Sequence, residues 1–269
     1  MAGISISVLG VNDERLRWLD APTTAPAWPN ALRQRPGKPE SRIVANVGAK
    51  VTSSTTAGAQ SEVGRKTKQA IEAACKAVIG AQRELTEMDR VTGDGDLGTN
   101  MERAARAVQG AVNSYPLDDF PATLKALGHT LRHELGGSSG SLYGVLFLRC
   151  GTTLEHAGAA GLAQWAEALD QGCRAISELG GAKLGDRTML DALVPFVNAL
   201  KKNQDGKTPR EAVLFALDVA ERGMETTAQM KARLGRSSYL GDRVLGYPDP
   251  GAKAITIWLR CACEALFPH

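Results

Sequence analysis

The sequence lacks the features that mark membrane, secreted and nucleic-acid-binding proteins. No apolar stretch approaches the roughly 20 residues that a helix needs to cross a bilayer. The first residues contain neither a basic segment nor an apolar core, so we expect no secretory signal. The net charge is only +3 over 269 residues, and the Lys and Arg residues are dispersed, which argues against nucleic acid as a partner. These absences predict a cytoplasmic protein with no membrane or nucleic-acid partner.

The sequence also lacks a CxxC pair, although it contains five cysteines. The five are Cys75, Cys150, Cys173, Cys261 and Cys263, and most of them fall inside apolar helical patterns. We therefore expect reduced, buried thiols rather than disulfides or a metal site.

The beginning of the chain differs in character from the rest. Residues 4–8 alternate apolar and small polar side chains, as in a strand. A Pro- and Thr-rich stretch and a basic, Ser/Thr/Gly-rich segment follow, which favours a linker. We expect residues 1–30 to be the end of a preceding α/β domain, with Met1 internal to a longer parent, and residues 31–61 to be a linker. Residues 62–269 would form a helical domain.

The helical domain shows long segments in which apolar residues recur at spacings of three and four. Eight such segments are predicted to be helices: 62–90, 99–113, 120–135, 139–157, 161–179, 187–202, 208–230 and 250–267. Short corners between them favour antiparallel neighbours. The predicted fold is all-α, a barrel or bundle of eight antiparallel helices preceded by a strand-like tail and a linker.

Three aspartates, Asp89, Asp94 and Asp96, fall at the corner between the first two predicted helices. Gly93 and Gly95 bracket the middle one, and glycine adopts a positive φ at little cost. The chain can therefore fold back so that the three carboxylates converge. Converging carboxylates repel one another unless cations intervene, and Mg²⁺ commonly shares such ligands with nucleotide phosphates. The alternative from the residues alone is a polar turn that caps two helices.

A glycine- and serine-rich corner precedes the helix at 139–157. Its sequence, Gly136-Gly-Ser138-Ser139-Gly-Ser141, can present backbone N–H groups and hydroxyls to an anion at a helix N-terminus. No Lys follows, so the corner is not a Walker A loop. Simple N-capping by Ser138 or Ser139 is the alternative.

Two further polar corners, at 185–189 and 246–252, also precede helices. In an up-and-down array, alternate connections lie at the same end, so all four corners should gather there. This geometry predicts one shared ligand site. The basic cluster at 231–236 could hold phosphate or face water.

Several strings resemble the L domain of dihydroxyacetone kinases, the DhaL family. In chain order these are the acidic corner (89–98), the glycine-serine corner (136–140), Gly185-Asp-Arg-Thr-Met-Leu-Asp191, Gly235-Arg-Ser-Ser-Tyr-Leu-Gly241 and Asp249-Pro-Gly-Ala. Residues 3–7 and 19–28 are similar to the end of the family's substrate-binding K domain and its linker. This points to the C-terminal part of a fused, ATP-dependent dihydroxyacetone (glycerone) kinase or FMN cyclase-like protein.

The resemblance implies a barrel of eight antiparallel helices and a set of site residues. Asp89, Asp94 and Asp96 would bind two Mg²⁺ ions. The nucleotide phosphates would lie near Gly98, Thr99 and Asn100 and on Ser138 and Ser139. The rest of the ATP (or ADP) would contact Gly180, Thr188, Met189, Asp249, Pro250 and Gly251.

The implied reaction is transfer of the γ-phosphoryl group of Mg-ATP to dihydroxyacetone or glyceraldehyde held by a K domain, in cis or in trans. Fused relatives are dimers, so a homodimer is also implied. Three alternatives stay open. They are a phosphotransferase-system L subunit with permanently bound ADP, a non-catalytic nucleotide-bound regulatory module, and release of cyclic FMN from FAD.

Overall fold

The computed structural model describes residues 12–14, 17, 61–158, 161–202 and 207–267, and within them the chain is helical with no strand. The strand predicted at residues 4–8 and residues 31–60 of the predicted linker lie outside the described part of the chain. The all-α prediction is confirmed for the part that is described.

Nine α-helices occupy the described residues from 61 onward. They are α1 (Glu62–Gly80), α2 (Gln82–Thr92), α3 (Leu97–Ala111), α4 (Phe120–Glu134), α5 (Gly137–Ala157), α6 (Leu162–Gly180), α7 (Leu190–Lys202), α8 (Pro209–Thr226) and α9 (Pro250–Leu266). Shorter 3₁₀ turns are Val112–Ser114, Thr227–Gln229 and Arg236–Val244.

Local sequence signals account for several of these helix starts. The Ser61 side chain accepts a hydrogen bond from the Gly64 amide at the start of α1. Thr208 and Glu211 form a capping box ahead of α8, whose first residue is a proline. Such caps satisfy amides that have no partner inside the helix.

The first predicted helix, at 62–90, is two helices in the structure. Ala81 has a φ of −90° and a ψ of 3°, and its amide donates to the carbonyls of Ala77 and Ile79. The apolar periodicity continues across this break, so the pattern alone predicted one helix. Gly80, a weak helix former, immediately precedes it. If α1 and α2 are counted as one broken helix, the described helices from residue 61 onward number eight, as predicted.

The helices form a closed ring. Each helix packs against the next one in the chain, and α9 returns to pack against α1. Fully buried leucines and isoleucines from different helices fill the interior, among them Leu85, Leu146, Ile176, Leu193 and Ile255. Each such side chain contributes about 1.5–3 kcal/mol when it leaves water. Ring closure therefore rests on apolar burial, as the periodicity predicted.

The interior chemistry is apolar. A cavity of about 540 Å³ lies among side chains such as Met101, Phe147 and Trp258, and no predicted site residue lines it. All five cysteines are free, and burial raises the pKa of Cys75 to about 12, which keeps that thiol protonated at neutral pH. None of the described helices has the length and apolar character that a bilayer crossing requires.

Candidate functional site

Carboxylate oxygens of Asp89, Asp94 and Asp96 all lie within 4.8 Å of one another. Asp89 stands in the last turn of α2 and is only 7% exposed, whereas the other two are exposed in the connection to α3. Three carboxylates this close repel one another, and oxygen-seeking divalent cations relieve that repulsion. The donor set therefore fits Mg²⁺.

Backbone contacts hold the acidic corner in shape. The Leu97 amide donates to Oδ2 of Asp89 at 3.0 Å, and the Gly93 amide donates to its carbonyl at 2.6 Å. Gly95 has a φ of 79°, the left-handed conformation that favours glycine. Gly93 instead has an extended φ of −156°. A β-carbon there would collide with the Asp89 carboxylate, so Gly93 is required by close approach rather than by a positive φ.

Burial raises the pKa of Asp89, and the neighbouring charges of Asp94 and Asp96 raise it further. The hydrogen bond from the Leu97 amide acts in the opposite direction. The ionised carboxylate is thus disfavoured by the fold itself. A bound cation would reverse this effect, because it stabilises the ionised form.

A basic side chain also reaches the acidic corner. Arg236, at the start of the 3₁₀ turn Arg236–Val244, forms an ion pair with Asp94. Of the other two members of the basic cluster, Lys231 pairs with Asp242 at 2.8 Å and Arg233 with Asp186 at 3.3 Å. The cluster thus faces acidic side chains, and its Arg236 end lies beside the predicted metal ligands.

The first turn of α3 follows directly after Asp96 and contains the predicted phosphate residues Gly98, Thr99 and Asn100. Gly98 is buried so tightly against α2 that a β-carbon would collide with the Gln82 carbonyl. Thr99 accepts a long hydrogen bond of 3.5 Å from the Gln82 side chain. The start of α3 is therefore fixed against α2 beside the carboxylates.

The glycine-serine corner begins with two left-handed glycines, Gly136 at φ 66° and Gly137 at φ 54°. Gly136 is the N-cap of α5, and no side chain caps this helix. Ser138 is exposed and Ser139 half-buried in the first turn. The capping alternative for these serines is wrong, so α5 starts with amides that no side chain satisfies.

Arg103 links the glycine-serine corner to the acidic corner. It lies on α3 and donates through Nε and Nη2 to the carbonyl of Glu134, at 3.0 and 2.8 Å. Its Nη2 also lies 3.4 Å from the place where a β-carbon of Gly136 would stand. Because α3 starts at the acidic corner, this arginine joins the two corners through one helix.

One packing contact and two hydrogen bonds fix the third corner and the end of α6 that leads into it. Gly180, the last residue of α6, lies against Leu142 of α5, one turn beyond the serines. Asp191 accepts hydrogen bonds from the amides of Gly185 and Thr188, at 2.6 and 2.8 Å. These bonds fold residues 185–189 into a loop, which is why α7 starts at Leu190 rather than at the predicted 187.

The fourth corner lies against the third. Asp249 caps α9 by accepting from the Ala252 amide at 2.8 Å, and Pro250 is the first residue of that helix. A β-carbon on Gly251 would lie 3.9 Å from the Met189 nitrogen. Residues 188–189 and 249–251, which the sequence assigned to one ligand, are therefore neighbours.

Asp249 is buried, and that burial raises the pKa of its carboxyl to about 6. The Ala252 amide and the Arg187 guanidinium act in the opposite direction, whereas Asp191 adds to the rise. Desolvation is the largest of these causes, so the ionised cap carries a free-energy cost in the folded state.

Most of the helical part of the chain matches a known domain family. Residues 91–264 match the DAK2 domain. The chain belongs to the DAK2 domain family. The matched range contains every predicted site residue except Asp89, which lies two positions before it.

Relatives of this DAK2 domain are kinases. Human triokinase/FMN cyclase is 36% identical over 269 residues, covering 99% of this chain and 46% of the relative. D-erythrulose kinase of Mycolicibacterium smegmatis is 31% identical, covering 99% of this chain and 47% of the relative. The chain thus spans about half the length of the curated relatives that it matches.

A solved structure shares the fold. Dihydroxyacetone kinase from C. freundii in complex with AMP-PNP and Mg²⁺ aligns with a TM-score of 0.62 and 28% identity, over 80% of this chain and 37% of the other. The DAK2 domain here therefore resembles a kinase that was crystallised with a nucleotide analogue and magnesium.

Sequence reasoning missed three residues that organise the DAK2 corners: Arg103, Arg187 and Asp191. Arg187 and Asp191 lie inside a string that was already selected, which runs from Gly185 to Asp191 in the first turn of α7. A charged residue beside a glycine turn was the available signal. Arg103 had none, because a single arginine on a helix looks like an ordinary exposed residue.

Proposed function

We propose that this DAK2 domain binds Mg-ATP and supplies its γ-phosphoryl group to a small hydroxyketone or aldose. The observation that carries the proposal is the cluster of three carboxylates at the entrance to α3, within a chain whose relatives are named as kinases. ADP would be the product that stays in the same site.

Asp89, Asp94 and Asp96 are the proposed ligands of two Mg²⁺ ions. When bound, such ions neutralise the triphosphate and stabilise the leaving phosphate oxygen. Asp89 would be the fixed ligand, because it is buried and hydrogen-bonded to the Leu97 amide. Asp94 must exchange its ion pair with Arg236 for the metal, which frees a guanidinium beside the phosphates.

The nucleotide phosphates are proposed to lie between the starts of α3 and α5. Gly98, Thr99 and Asn100 offer the first turn of one helix, and Ser138 and Ser139 that of the other. Amides at a helix N-terminus attract anions through hydrogen bonds and the helix dipole. Gly180, Thr188, Met189 and residues 249–251 would contact the rest of the nucleotide.

The acceptor is proposed to be dihydroxyacetone or glyceraldehyde bound to a K domain that the described part of this chain does not contain. Relatives match 99% of the chain, yet the chain covers less than half of them. The proposed division is residues 62–269 as the nucleotide domain, 31–61 as a linker and 1–30 as the end of a K domain. Transfer should then require a K domain in cis or in trans.

Calorimetric titration with AMP-PNP tests the nucleotide-binding step. Binding should require Mg²⁺ and should weaken at least tenfold, about 1.4 kcal/mol, in the Asp94→Asn variant. The matched control is Asp170→Asn, an aspartate outside the candidate site that also forms ion pairs, with Arg174 and Lys201. That variant should bind as the wild type does.

Binding that is independent of Mg²⁺, or equal in the Asp94 and Asp170 variants, would reject the metal-nucleotide site. Tightly held ADP that exchanges slowly and is not replaced by ATP would favour the phosphotransferase-system alternative. Nucleotide binding without transfer, even with a K domain present, would favour a regulatory module.

A second candidate function has its own support. Several relatives are named triokinase/FMN cyclase, so release of cyclic FMN from FAD at the same carboxylates is an alternative. Incubation with FAD and a divalent cation, followed by chromatography for cyclic FMN, distinguishes the two. Cyclic FMN formed by the wild type and lost in Asp94→Asn would support it.

A further inference from the structure

Arg187 combines a buried charge with an unfavourable backbone. Its side chain is 0% exposed, and its φ of 62° is the one positive value among the non-glycine residues that the structure describes. The left-handed conformation is unfavourable for a residue that has a β-carbon. Removing a guanidinium from water adds to that cost. Strain of this kind persists where the surrounding structure requires a particular geometry.

The contacts of Arg187 join two segments that are far apart in the chain. Nη2 donates to the Tyr247 carbonyl at 2.9 Å, and Nη1 lies 3.6 Å from Oδ1 of Asp249. Its own backbone leads directly into Thr188. One side chain therefore ties residues 188–189 to residues 247–251.

The backbone of Asp249 is anchored as well as its side chain. The Asp249 amide donates to Oγ1 of Thr227 at 2.7 Å, and Thr227 is fully buried in the turn after α8. Arg187 and Thr227 thus hold the residue that precedes α9 through its side chain and its amide.

Arg187 is not explained by its contribution to stability. Its Nε and Nη1 atoms are buried without a hydrogen-bond partner, as are the Tyr143 hydroxyl and the Trp258 indole nitrogen. A buried polar group without a partner destabilises the fold, because it loses the hydrogen bonds that it makes with water in the unfolded chain. Apolar residues of similar volume would avoid this cost. The cost of burying Arg187 therefore points to a role for its geometry rather than for stability.

We propose that Arg187 is a positioning residue of the nucleotide site. Its guanidinium fixes the separation between residues 188–189 and 249–251 so that the non-phosphate part of a nucleotide fits between them. This inference rests on the proposed nucleotide-binding function. Arg187 touches no ligand itself, because its side chain is completely buried.

A planar guanidinium suits this task better than an ammonium. Its Nη2 donates to the Tyr247 carbonyl, while its Nη1 lies 3.6 Å from the Asp249 carboxylate as an ion pair. A lysine would keep the charge but could not hold the carbonyl and the carboxylate in a fixed relation. Charge alone is thus insufficient, and this separates positioning from simple neutralisation of Asp249.

The test compares Arg187→Lys and Arg187→Met with the wild-type chain. AMP-PNP affinity in Mg²⁺ should fall roughly tenfold to a hundredfold in both variants, as expected when supporting groups misplace a binding residue. Affinity of the carboxylates for Mn²⁺ alone, followed by electron paramagnetic resonance, should stay within twofold. The control is Arg233→Lys, an exposed arginine bound to Asp186 in the same loop, which should leave both affinities unchanged.

Nucleotide affinity within twofold of wild type in both Arg187 variants would overturn the inference while leaving the proposed function intact. A parallel loss of Mn²⁺ affinity would also overturn it, since that would indicate a general structural defect. No AMP-PNP binding by the wild type would instead reject the proposed function, and the inference with it.

A measurement on the wild type covers the case in which neither variant folds. In hydrogen–deuterium exchange, AMP-PNP with Mg²⁺ should slow exchange in peptides spanning 185–189 and 246–252 together, because Arg187 couples them. Slowing in one of these peptides but not the other would contradict the coupling.

Discussion

At Asp89, folding and ligand binding place opposite demands on one carboxylate. The side chain is buried, and its pKa is raised by desolvation and by two neighbouring aspartates. At neutral pH the ionised group therefore destabilises the folded state. The Leu97 amide that donates to the carboxylate stabilises its ionised form, but it does not cancel the combined effect of burial and the two aspartates.

Replacing Asp89 with Asn should raise the free energy of unfolding by on the order of 1 kcal/mol in the absence of metal. The Asn oxygen can still accept from Leu97, while the repulsive charge is removed. Thermal unfolding with EDTA checks this. With Mg²⁺ and AMP-PNP added, the wild type should become more stable than the variant, because only the wild type binds the metal. A variant that is less stable without metal would contradict the account.

The raised pKa of Asp249 predicts that the stability of the fold depends on pH. Its folded-state pKa of about 6 lies above the ordinary value of 3.8, so the folded state takes up a proton before the unfolded state does. The contribution of this group to stability therefore rises as pH falls from 7 through 6 to 5, by on the order of 1 kcal/mol. Urea unfolding at these pH values should show the rise in wild type relative to Asp249→Asn.

A constant difference between wild type and Asp249→Asn across this pH range would indicate an ordinary pKa for Asp249. Asn keeps the capping role, since its side-chain oxygen can accept from the Ala252 amide. The comparison thus isolates titration from loss of the cap.

At the scale of elements, α3 offers a matched pair of glycines. A β-carbon on Gly98 would collide with the Gln82 carbonyl, whereas one on Gly110 meets no atom within 4 Å. Gly98→Ala should destabilise the fold by about 1–3 kcal/mol and displace the start of α3 from the carboxylates. Gly110→Ala should stabilise it by up to about 1 kcal/mol. Denaturant unfolding measures both, and equal effects would contradict the packing.

Helix identity was predictable from the sequence, and helix ends were less so. The helix predicted at 161–179 differs from α6 by one residue at each end, because its apolar spacing is regular and glycines stand at both ends. The break at Ala81 was invisible, because apolar residues continue in phase on both sides. The late start of α7 depended on Asp191 binding two amides in the preceding loop, which no local pattern encodes.

At the scale of the whole molecule, alternation of the helices carried the site prediction. Corners after alternate helices were expected at one end, and contacts through Arg103, Gly180 and Gly251 link the four corners in sequence. Composition and motif spacing could select the corners. They could not show that Arg187 ties the third to the fourth, since that pairing spans 60 residues and depends on the closed ring.

If this chain binds the nucleotide and a K domain binds the acceptor, phosphoryl transfer should require both. The purified chain with ATP, Mg²⁺ and dihydroxyacetone should form no dihydroxyacetone phosphate above background. Addition of a separately produced K domain from a relative should restore turnover, measured by coupled oxidation of NADH. Efficient phosphorylation by the chain alone would show that it carries its own acceptor site.

Crystals grown with Mn²⁺ and AMP-PNP would test the metal-nucleotide site through the anomalous scattering of manganese. We expect two anomalous peaks within coordination distance of Asp89, Asp94 and Asp96, with the analogue's phosphates reaching from them to Ser138 and Ser139. A single peak would correct the number of metals. Bound analogue with no peak at these aspartates, or peaks elsewhere, would contradict the assignment of this corner as the metal-nucleotide site.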